Sequence, residues 1–486
     1  MKHLKKQQII LILVGALIIG FGGAYFGIQL AQSNQTQDTN DLAINNAGDL
    51  NRPAETPKNM DKIAQAYQLI EQNYLKDVEG MQLIEGAIQG MLDTLDDPYS
   101  TYMDVETMKG FNETIESSFE GIGAQVSMVD DTVTIIAPIK GSPAEKSGLR
   151  PNDQILSVNK ENVRGLDLYE AVEKIRGKKG SEVVLKIQRS GVSDPFNVTV
   201  TRDEIPLETV HSKMKTVDGK KTGIIEITTF SENTAEDFKK QLADLEDKGM
   251  EGLVIDVRGD PGGLLSAVEN ILKEFIPEDM PMVQIEDSDG NKEPHYSKLK
   301  EKKPYPINVL INEGSASASE ILAIAMKEAG YDVVGTKSFG KGTVQKAIPF
   351  GDGSTIKLTF FKWLSPKGNW IHEKGIKPTI KVKQPDYFYT NPIQVEDDPL
   401  TYNHTGEKIK NIQIMLEGLG YGPGRKDGYF NKETAEAVKA FQSDNDLKAT
   451  GEVDKDTARL IETKIVEKVR SGKDDKQLEK ALNSLY

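Results

Sequence analysis

The sequence predicts a multidomain α/β chain, and three observations carry that expectation. Its 486 residues exceed what one compact core accommodates. Over residues 206–383 short apolar strands alternate with amphipathic helices, the pattern of a layered α/β structure. On either side the periodicity changes, to short strands over 121–203 and to a mostly helical unit over 405–465. Composition narrows the chemistry further. A net charge of −15 argues against a protein built to grip nucleic acid or to lie on an anionic membrane surface. The lack of cysteine removes disulfides, zinc–thiolate sites and thiol catalysis together.

Residues 7–37 carry no charged side chain, and Ile9–Leu30 is apolar over the length a helix needs to cross a bilayer. Lys2, Lys5 and Lys6 precede it, which puts a short tail (1–8) in the cytoplasm and the chain beyond residue 32 outside. The run is long for a signal-peptide core and Ile28–Gln32 makes a poor cleavage site, so an uncleaved transmembrane helix (9–30) is favoured over a removed leader. Residues 33–58 are polar and aperiodic and read as a flexible linker. Within 60–115, Ile63, Ala64, Tyr67, Ile70 and Tyr74, then Leu83, Ile84, Ala87, Ile88, Met91 and Leu92, recur at helical spacing. The two helices they define either pack on the body or form a homodimer interface.

Strands are expected over Ile122–Met128 and Thr132–Pro138, followed by a helix that Ser142-Pro143 starts and Gly148 stops. Asp153–Val158 is a strand, Leu168–Arg176 a helix, and Glu182–Arg189 pairs with Phe196–Arg202. The α/β region then offers strands at Gly223–Thr229, Gly252–Val257, Ile307–Ile311 and Lys357–Trp363. Helices fall between them at Thr234–Asp247, Leu264–Phe275 and Ala318–Ala329. Residues 384–404 read as a second linker, and Ile409, Ile412, Met415, Leu416 and Leu419 stripe the first helix of the last unit. The tail over 466–486 is charged and expected to be solvated.

Chemistry concentrates in residues 313–345. Ser315, Ser317 and Ser319 alternate with small residues, and Lys341 sits between Gly340 and Gly342. A serine hydroxyl is a weak nucleophile until a base takes its proton, and a lysine serves as that base when burial lowers its pKa. The plain alternative makes the serines helix caps and Lys341 a loop lysine. His211, His295 and His372 share the α/β region but form no recognisable constellation, and no metal site or cofactor is expected from them.

Six strings, taken in order, resemble the carboxy-terminal processing proteases, tail-specific serine peptidases that carry an inserted PDZ domain. They are 94–102 (TLDDPYSTY), 119–123 (FEGIG), 141–144 (GSPA), 256–263 (DVRGDPGG), 314–320 (GSASASE) and 339–345 (FGKGTVQ). The resemblance implies a PDZ β-sandwich or barrel over 118–204, ahead of an α/β serine-protease core over 206–383. It assigns Ser317 as nucleophile, Lys341 as general base and Gln345 as the residue that orients the amine. Physical chemistry agrees, because Gln345 can accept from the amine without adding the negative charge that would restore a high pKa. Ser317 also precedes a helix, whose first N–H groups favour developing negative charge. The oxyanion hole is assigned to Gly262 and Ala318, with Gly263 an open alternative to Gly262. Here Gly259-Asp260 stand where members often carry two asparagines. Gly121, Ile122 and Gly123 would form the PDZ loop that captures a peptide's terminal carboxylate, and Arg176 would contact the core.

The unit at 405–465 resembles a three-helix peptidoglycan-binding domain, through 419–421 (LGY), 427–430 (DGYF), 441–442 (FQ) and 450–451 (TG). The expected protein is a membrane-anchored, extracytoplasmic serine endopeptidase. Its partners would be protein or peptide substrate C-termini, with peptidoglycan a further candidate, and not nucleic acid. Two rivals are a catalytically silent PDZ scaffold linking membrane, wall and a client, and a cell-wall hydrolase. The second lacks the paired acids that chemistry usually needs.

Overall fold

A computed structural model describes residues 59–486, apart from 117, 130, 131, 167, 191, 392, 394, 396 and 397. The expected transmembrane segment and first linker therefore lie outside the described residues, and no described helix is long and apolar enough to cross a membrane. The chain opens with α1 (Asp61–Asn73) and α2 (Gly80–Asp93), an amphipathic pair whose apolar residues stay largely in solvent. Strand β1 (Thr101–Met103) and helix α3 (Val105–Ile115) follow, and Met103, Phe111 and Ile115 are buried in the core of the peptidase region.

The next unit is a small β structure. A ribbon of β2 (Ser118–Gly121) and β9 (Asp203–Pro206) leads into and out of it. Its sheet runs β3 (Ala124–Val129), β4 (Thr132–Pro138), β5 (Gln154–Val158), β7 (Glu182–Gln188) and β8 (Phe196–Thr201), with β6 (Glu161–Asn162) beside β5. Helices α4 (Pro143–Lys146) and α5 (Leu168–Ile175) cover it, closing a core around Ile135, Ile155, Leu185 and Ile187. Ser142 caps α4 and its hydroxyl donates to Gly123 O at 2.8 Å, which ties the helix to the loop before β3.

The main sheet is ordered β10 (Val210–Val217), β11 (Lys220–Ile227), β12 (Gly252–Asp256), β15 (Ile307–Ile311), β16 (Asp332–Gly335), β19 (Ile380–Lys381). All neighbours but β10 and β11 are parallel, so the strands are buried on both faces and read as continuous apolar runs. One face packs on α6 (Thr234–Asp247), α7 (Leu265–Leu272) and α8 (Ala318–Glu328) through Leu253, Ile255, Val309 and Ile311. A second, antiparallel sheet was not foreseen. It joins β1 and β18 (Thr355–Leu364) to β13 (Pro281–Glu286) and β14 (Lys292–Tyr296), with β17 (Thr343–Pro349) also on β18.

Residues 384–404 are not a simple tether. Asp386–Tyr389 forms a 3-10 turn, and Tyr387 and Ile393 enter the core of the last unit. That unit holds α9 (Glu407–Leu419), α10 (Lys432–Asp444) and α11 (Lys455–Arg470) around Ile412, Leu416, Phe430 and Phe441. Two fully buried glutamines organise its turns: Gln413 accepts from Gly428 N and Gln442 from Gly451 N, at 3.0 and 2.9 Å.

The tail expected in solvent is instead part of the peptidase core. Helix α11 runs to Arg470, and α12 (Lys476–Asn483) lays Ala481 and Leu482, with Leu485 beyond it, on the second face of the main sheet. There they meet Val217, Ile224, Val254, Leu310 and Val334, residues that alternate with those facing α6–α8. Asn308 donates to Ala481 O at 2.7 Å, and Tyr486 Oη lies 2.9 Å from Thr222 Oγ1. Without α12 these apolar strand residues would face water. Leu482→Ala is expected to cost the core about 3 kcal/mol. Urea unfolding followed by tryptophan fluorescence checks this, since Trp363 is fully buried in the core.

Candidate active site

The site forms at the carboxyl ends of β12 and β15, where open α/β sheets place their ligands. Each strand runs into a loop, 257–263 after β12 and 312–317 after β15, and the two loops are stitched together. Ser315 Oγ donates to Val257 O at 2.7 Å, Ser319 Oγ to Asp260 O at 2.9 Å, and Ala316 N to Asp260 O at 3.0 Å. Asn312 Oδ1 accepts from both Gly259 N and Gly314 N. Thus Ser315 and Ser319 commit their hydroxyls to backbone carbonyls, and Ser317 is the serine of the three that does not.

Ser317 immediately precedes α8 with φ +53° and ψ −113°, a conformation that costs a non-glycine residue about 1–3 kcal/mol. Its N–H donates to Glu320 Oε2 at 3.0 Å, which offsets part of that strain. The same oxygen accepts Lys341 N at 2.8 Å, while Oε1 accepts Gly340 N at 2.7 Å and Ser338 Oγ at 2.5 Å. Glu320 is fully buried; burial pushes its pKa up, and these four donors pull against that shift. Sequence reasoning took it for the end of a motif. The structure makes it the joint between the serine loop and the lysine loop.

Lys341 is wholly inaccessible to solvent. Burial, helped by the charge of Lys357, holds its pKa down at about 7 against the opposing pull of Asp97 and Glu320. Its amine lies 5.0 Å from the centre of the Tyr99 ring, and its carbonyl accepts Trp363 Nε1 at 2.8 Å. Gly342 admits no side chain, since a Cβ there would stand 2.8 Å from both His372 N and Trp370 Nε1. Gln345 is also buried, and its amide nitrogen donates to Thr343 Oγ1 and Thr359 Oγ1, both at 3.0 Å. Its Oε1 accepts no hydrogen bond. A cavity of about 650 Å³ opens beside this cluster between Tyr99, Thr343, Thr359, Trp370 and His372, but neither Ser317 nor Lys341 lines it.

The loop glycines are pressed against the serine. A Cβ on Gly262 would come within 2.8 Å of Ser317 Cβ and 2.9 Å of Ala318 N, so only glycine fits. Its N–H, expected to point to an oxyanion, is instead donated to Asp260 Oδ1 at 2.8 Å. Among the described residues nothing accepts from the N–H groups of Ala318 and Gly263. Arg176, expected to reach the core, pairs with Glu113 of α3 at 2.7 Å and lies over the Phe119 ring. Gly121 pairs with Asp203, Ile122 O accepts Ala144 N, and Gly123 turns at φ +72° before β3. Among the described residues nothing accepts from the N–H groups of Ile122 and Gly123. None of the described histidines joins the serine. His295 pairs with Glu269, His211 with Glu208, and His372 accepts from Gly342 N and stacks on Trp370.

Residues 221–382 match peptidase family S41, residues 134–189 a PDZ domain, and residues 405–461 a putative peptidoglycan-binding domain. Residues 17–107 match the N-terminal domain of the activating protease CtpB. The chain is 52% identical to the carboxy-terminal processing protease CtpB of Bacillus subtilis (strain 168), over 99% of this chain and 100% of that one. It is 43% identical to CtpA of the same organism, over 87% of this chain and 90% of that one. Among solved structures, the photosystem II D1 C-terminal processing protease is 25% identical, with a TM-score of 0.40, over 68% of this chain and 94% of that one. The family and sequence matches define a serine peptidase with a PDZ domain ahead of its α/β core. The chain belongs to the carboxy-terminal processing proteases of peptidase family S41.

One departure in the serine's supporting loop has a thermodynamic consequence. Asp260 is fully buried, its Oδ2 has no partner, and burial raises its pKa well above the usual carboxylate range despite the help of Gly262 N. A folded-state pKa above the unfolded one means the native protein binds the extra proton. Its contribution is therefore complete below the unfolded value of 3.8 and declines as pH rises toward the folded one. Asp260→Asn keeps an acceptor for Gly262 N and abolishes the ionisation. The variant should unfold at a higher temperature than the parent at neutral and alkaline pH, with a flatter dependence of Tm on pH.

Proposed function

We propose that this protease cleaves exported proteins with a Ser317/Lys341 dyad, at the outer face of the cell membrane to which residues 9–30 anchor it. The observation that carries the dyad is the shared Glu320 oxygen, which accepts the N–H of Ser317 and the N–H of Lys341. Lys341 takes the Ser317 proton as the hydroxyl attacks the scissile carbonyl, and later returns it to the leaving amine. A base with a pKa of about 7 is matched to that double task. The oxyanion would be met by Ala318 N–H at the start of α8, and by Gly262 N–H once it turns from Asp260 toward the serine. Gln345 supports the lysine.

The other units complete the reading. The loop at Gly121, Ile122 and Gly123 would take the terminal carboxylate of a substrate on its uncommitted N–H groups, with β3 pairing alongside the peptide. Occupancy of that loop would move the PDZ domain against the core and gate cleavage. The three helices at 407–470 would hold the enzyme to peptidoglycan. The exposed apolar residues of α1 and α2, among them Ile63, Leu69, Ile70, Met81 and Met91, support a homodimer through these helices.

Ser317→Ala and Lys341→Ala should each lower proteolysis of a denatured protein at least about a hundredfold while circular dichroism stays unchanged. Full activity in either variant would end the dyad. Because Lys341 must be neutral to act, kcat of the parent should rise with pH through about 7 and level off above it. A pH–rate profile without that limb would point to another base.

A further inference from the structure

The segment 97–100, from the turn after α2, enters the active site, and nothing in the proposed Ser/Lys mechanism accounts for it. Asp97 Oδ2 accepts the Thr359 hydroxyl at 2.6 Å and the Ser100 hydroxyl at 2.6 Å, while Oδ1 accepts Tyr99 N at 3.1 Å. Ser100 Oγ in turn accepts Thr359 N at 3.1 Å. Thr359 sits directly across from Gln345 in the pairing of β17 with β18, at a bulge between Val344 and Gln345. Bulges of this kind re-aim a side chain, and here Gln345 Nε2 reaches Thr359 Oγ1 at 3.0 Å.

The directions of these bonds are not interchangeable. A threonine hydroxyl has one proton, and Thr359 gives it to a carboxylate. Burial pulls the Asp97 carboxyl up, but the hydroxyls of Ser100 and Thr359 outweigh it and hold it below the usual range, so it is ionised at neutral pH. Toward Gln345, Thr359 can then only accept. The amide nitrogen must face Thr359, which turns Oε1 the opposite way, and there it is buried without a donor. A buried amide oxygen with no partner costs about 1–3 kcal/mol unless function supplies one.

We propose that Asp97 and Thr359 are positioning residues which lock the Gln345 amide with its oxygen outward, as the acceptor for the protonated Lys341 amine formed during the reaction. This rests on the Ser317/Lys341 reading. A carboxylate placed directly on the amine would hold its proton too tightly. Interposing Thr359 and Gln345 hands on the direction of the hydrogen bond, while the charge reaches the amine only through space. The charged and titratable side chains that act on Asp97 are Lys341, Lys357 and His372, and Asp97 in turn pulls the pKa of both lysines upward.

The test is a set of full-length variants assayed on denatured, fluorescein-labelled casein. Thr359→Val should lower kcat about tenfold with KM within about twofold, and Thr359→Ser should recover most of that loss. Asp97→Asn should resemble Thr359→Val, because an amide cannot accept at Oδ2 and Oδ1 together. In a Gln345→Ala background, Thr359→Val should have no further effect on kcat, since its role is exercised through that amide. A normal kcat in both Thr359→Val and Asp97→Asn would overturn the proposal, as would a full additional loss in the double variant. Lys341→Ala run in parallel separates the two failures. If it is active, the dyad and this inference fall together; if it is dead while Thr359→Val is unaffected, the relay alone falls.

Discussion

One buried carboxylate holds the active site together. Glu320 receives four donors from three loop positions and from the residue before its own helix, and through them it fixes the serine loop against the lysine loop. Hydrogen bonds to a charged group each contribute about 1.5–3 kcal/mol, enough to hold Ser317 in a backbone conformation that it would otherwise leave. The same charge acts on chemistry. Burial and the charge of Lys357 both favour the neutral amine of Lys341. Glu320 and Asp97 restore part of the proton affinity, and the resultant near 7 is a balance between desolvation and the charge of these two acids.

A second constraint acts on the loop that faces Ser317. Arg258 forks between Asp256, at 2.6–2.9 Å, and Asp475 in the tail, at 2.8 Å to each oxygen. Burial alone would lower the pKa of this guanidinium, but Asp256 and then Asp475 outweigh it, so it stays charged. Asp475 is also the N-cap of α12 and accepts Gln384 Nε2. The final helix is thus pinned at both ends, by this pair at the catalytic edge and by Tyr486 against Thr222 at the far side of the sheet. The peptidase core is consequently not the continuous segment 206–383. It takes a sheet strand from before the PDZ domain and a helix from beyond the peptidoglycan-binding unit.

What the sequence disclosed and what it hid follow from how far each signal reaches along the chain. Ser317, Lys341 and Gln345 stood out as candidates because each sits in a short string whose residue types suggest the chemistry. Glu320 stood in such a string, but glutamate at the third position of a helix reads equally well as an ordinary cap. Asp97 and Thr359 were invisible as a pair, since their bond spans 262 residues and only the fold makes it. The tail carried a signal that was overlooked. Leu478, Ala481, Leu482 and Leu485 recur at helical spacing, yet the surrounding lysines and acids made the segment look solvated. Charge on one face of a short helix says nothing about the other.

Helix α3 shows why the units are more than neighbours on a string. Its inner face contributes Phe111 and Ile115 to the peptidase core, and its end is held there by Ser231 Oγ on Thr114 O and Glu232 N on Ile115 O. Its outer face carries Glu113, which takes Arg176 from the end of α5 in the PDZ domain, while Phe119 stacks under the same guanidinium. With roughly a third of Arg176 and a sixth of Glu113 exposed, the pair is partly desolvated, where loss of one partner costs more than at an open surface. The adjoining acids Glu116 and Glu232 have pKa values raised by burial and then by neighbouring carboxylates, Glu204, Glu113 and Glu120 for the first and Glu116 for the second, so carboxylates crowd this junction. A PDZ domain that shifted away from α3 would leave those carboxylates facing one another. The junction therefore favours a docked domain through electrostatics, and displacement requires something that supplies the missing positive charge or forces Arg176 elsewhere.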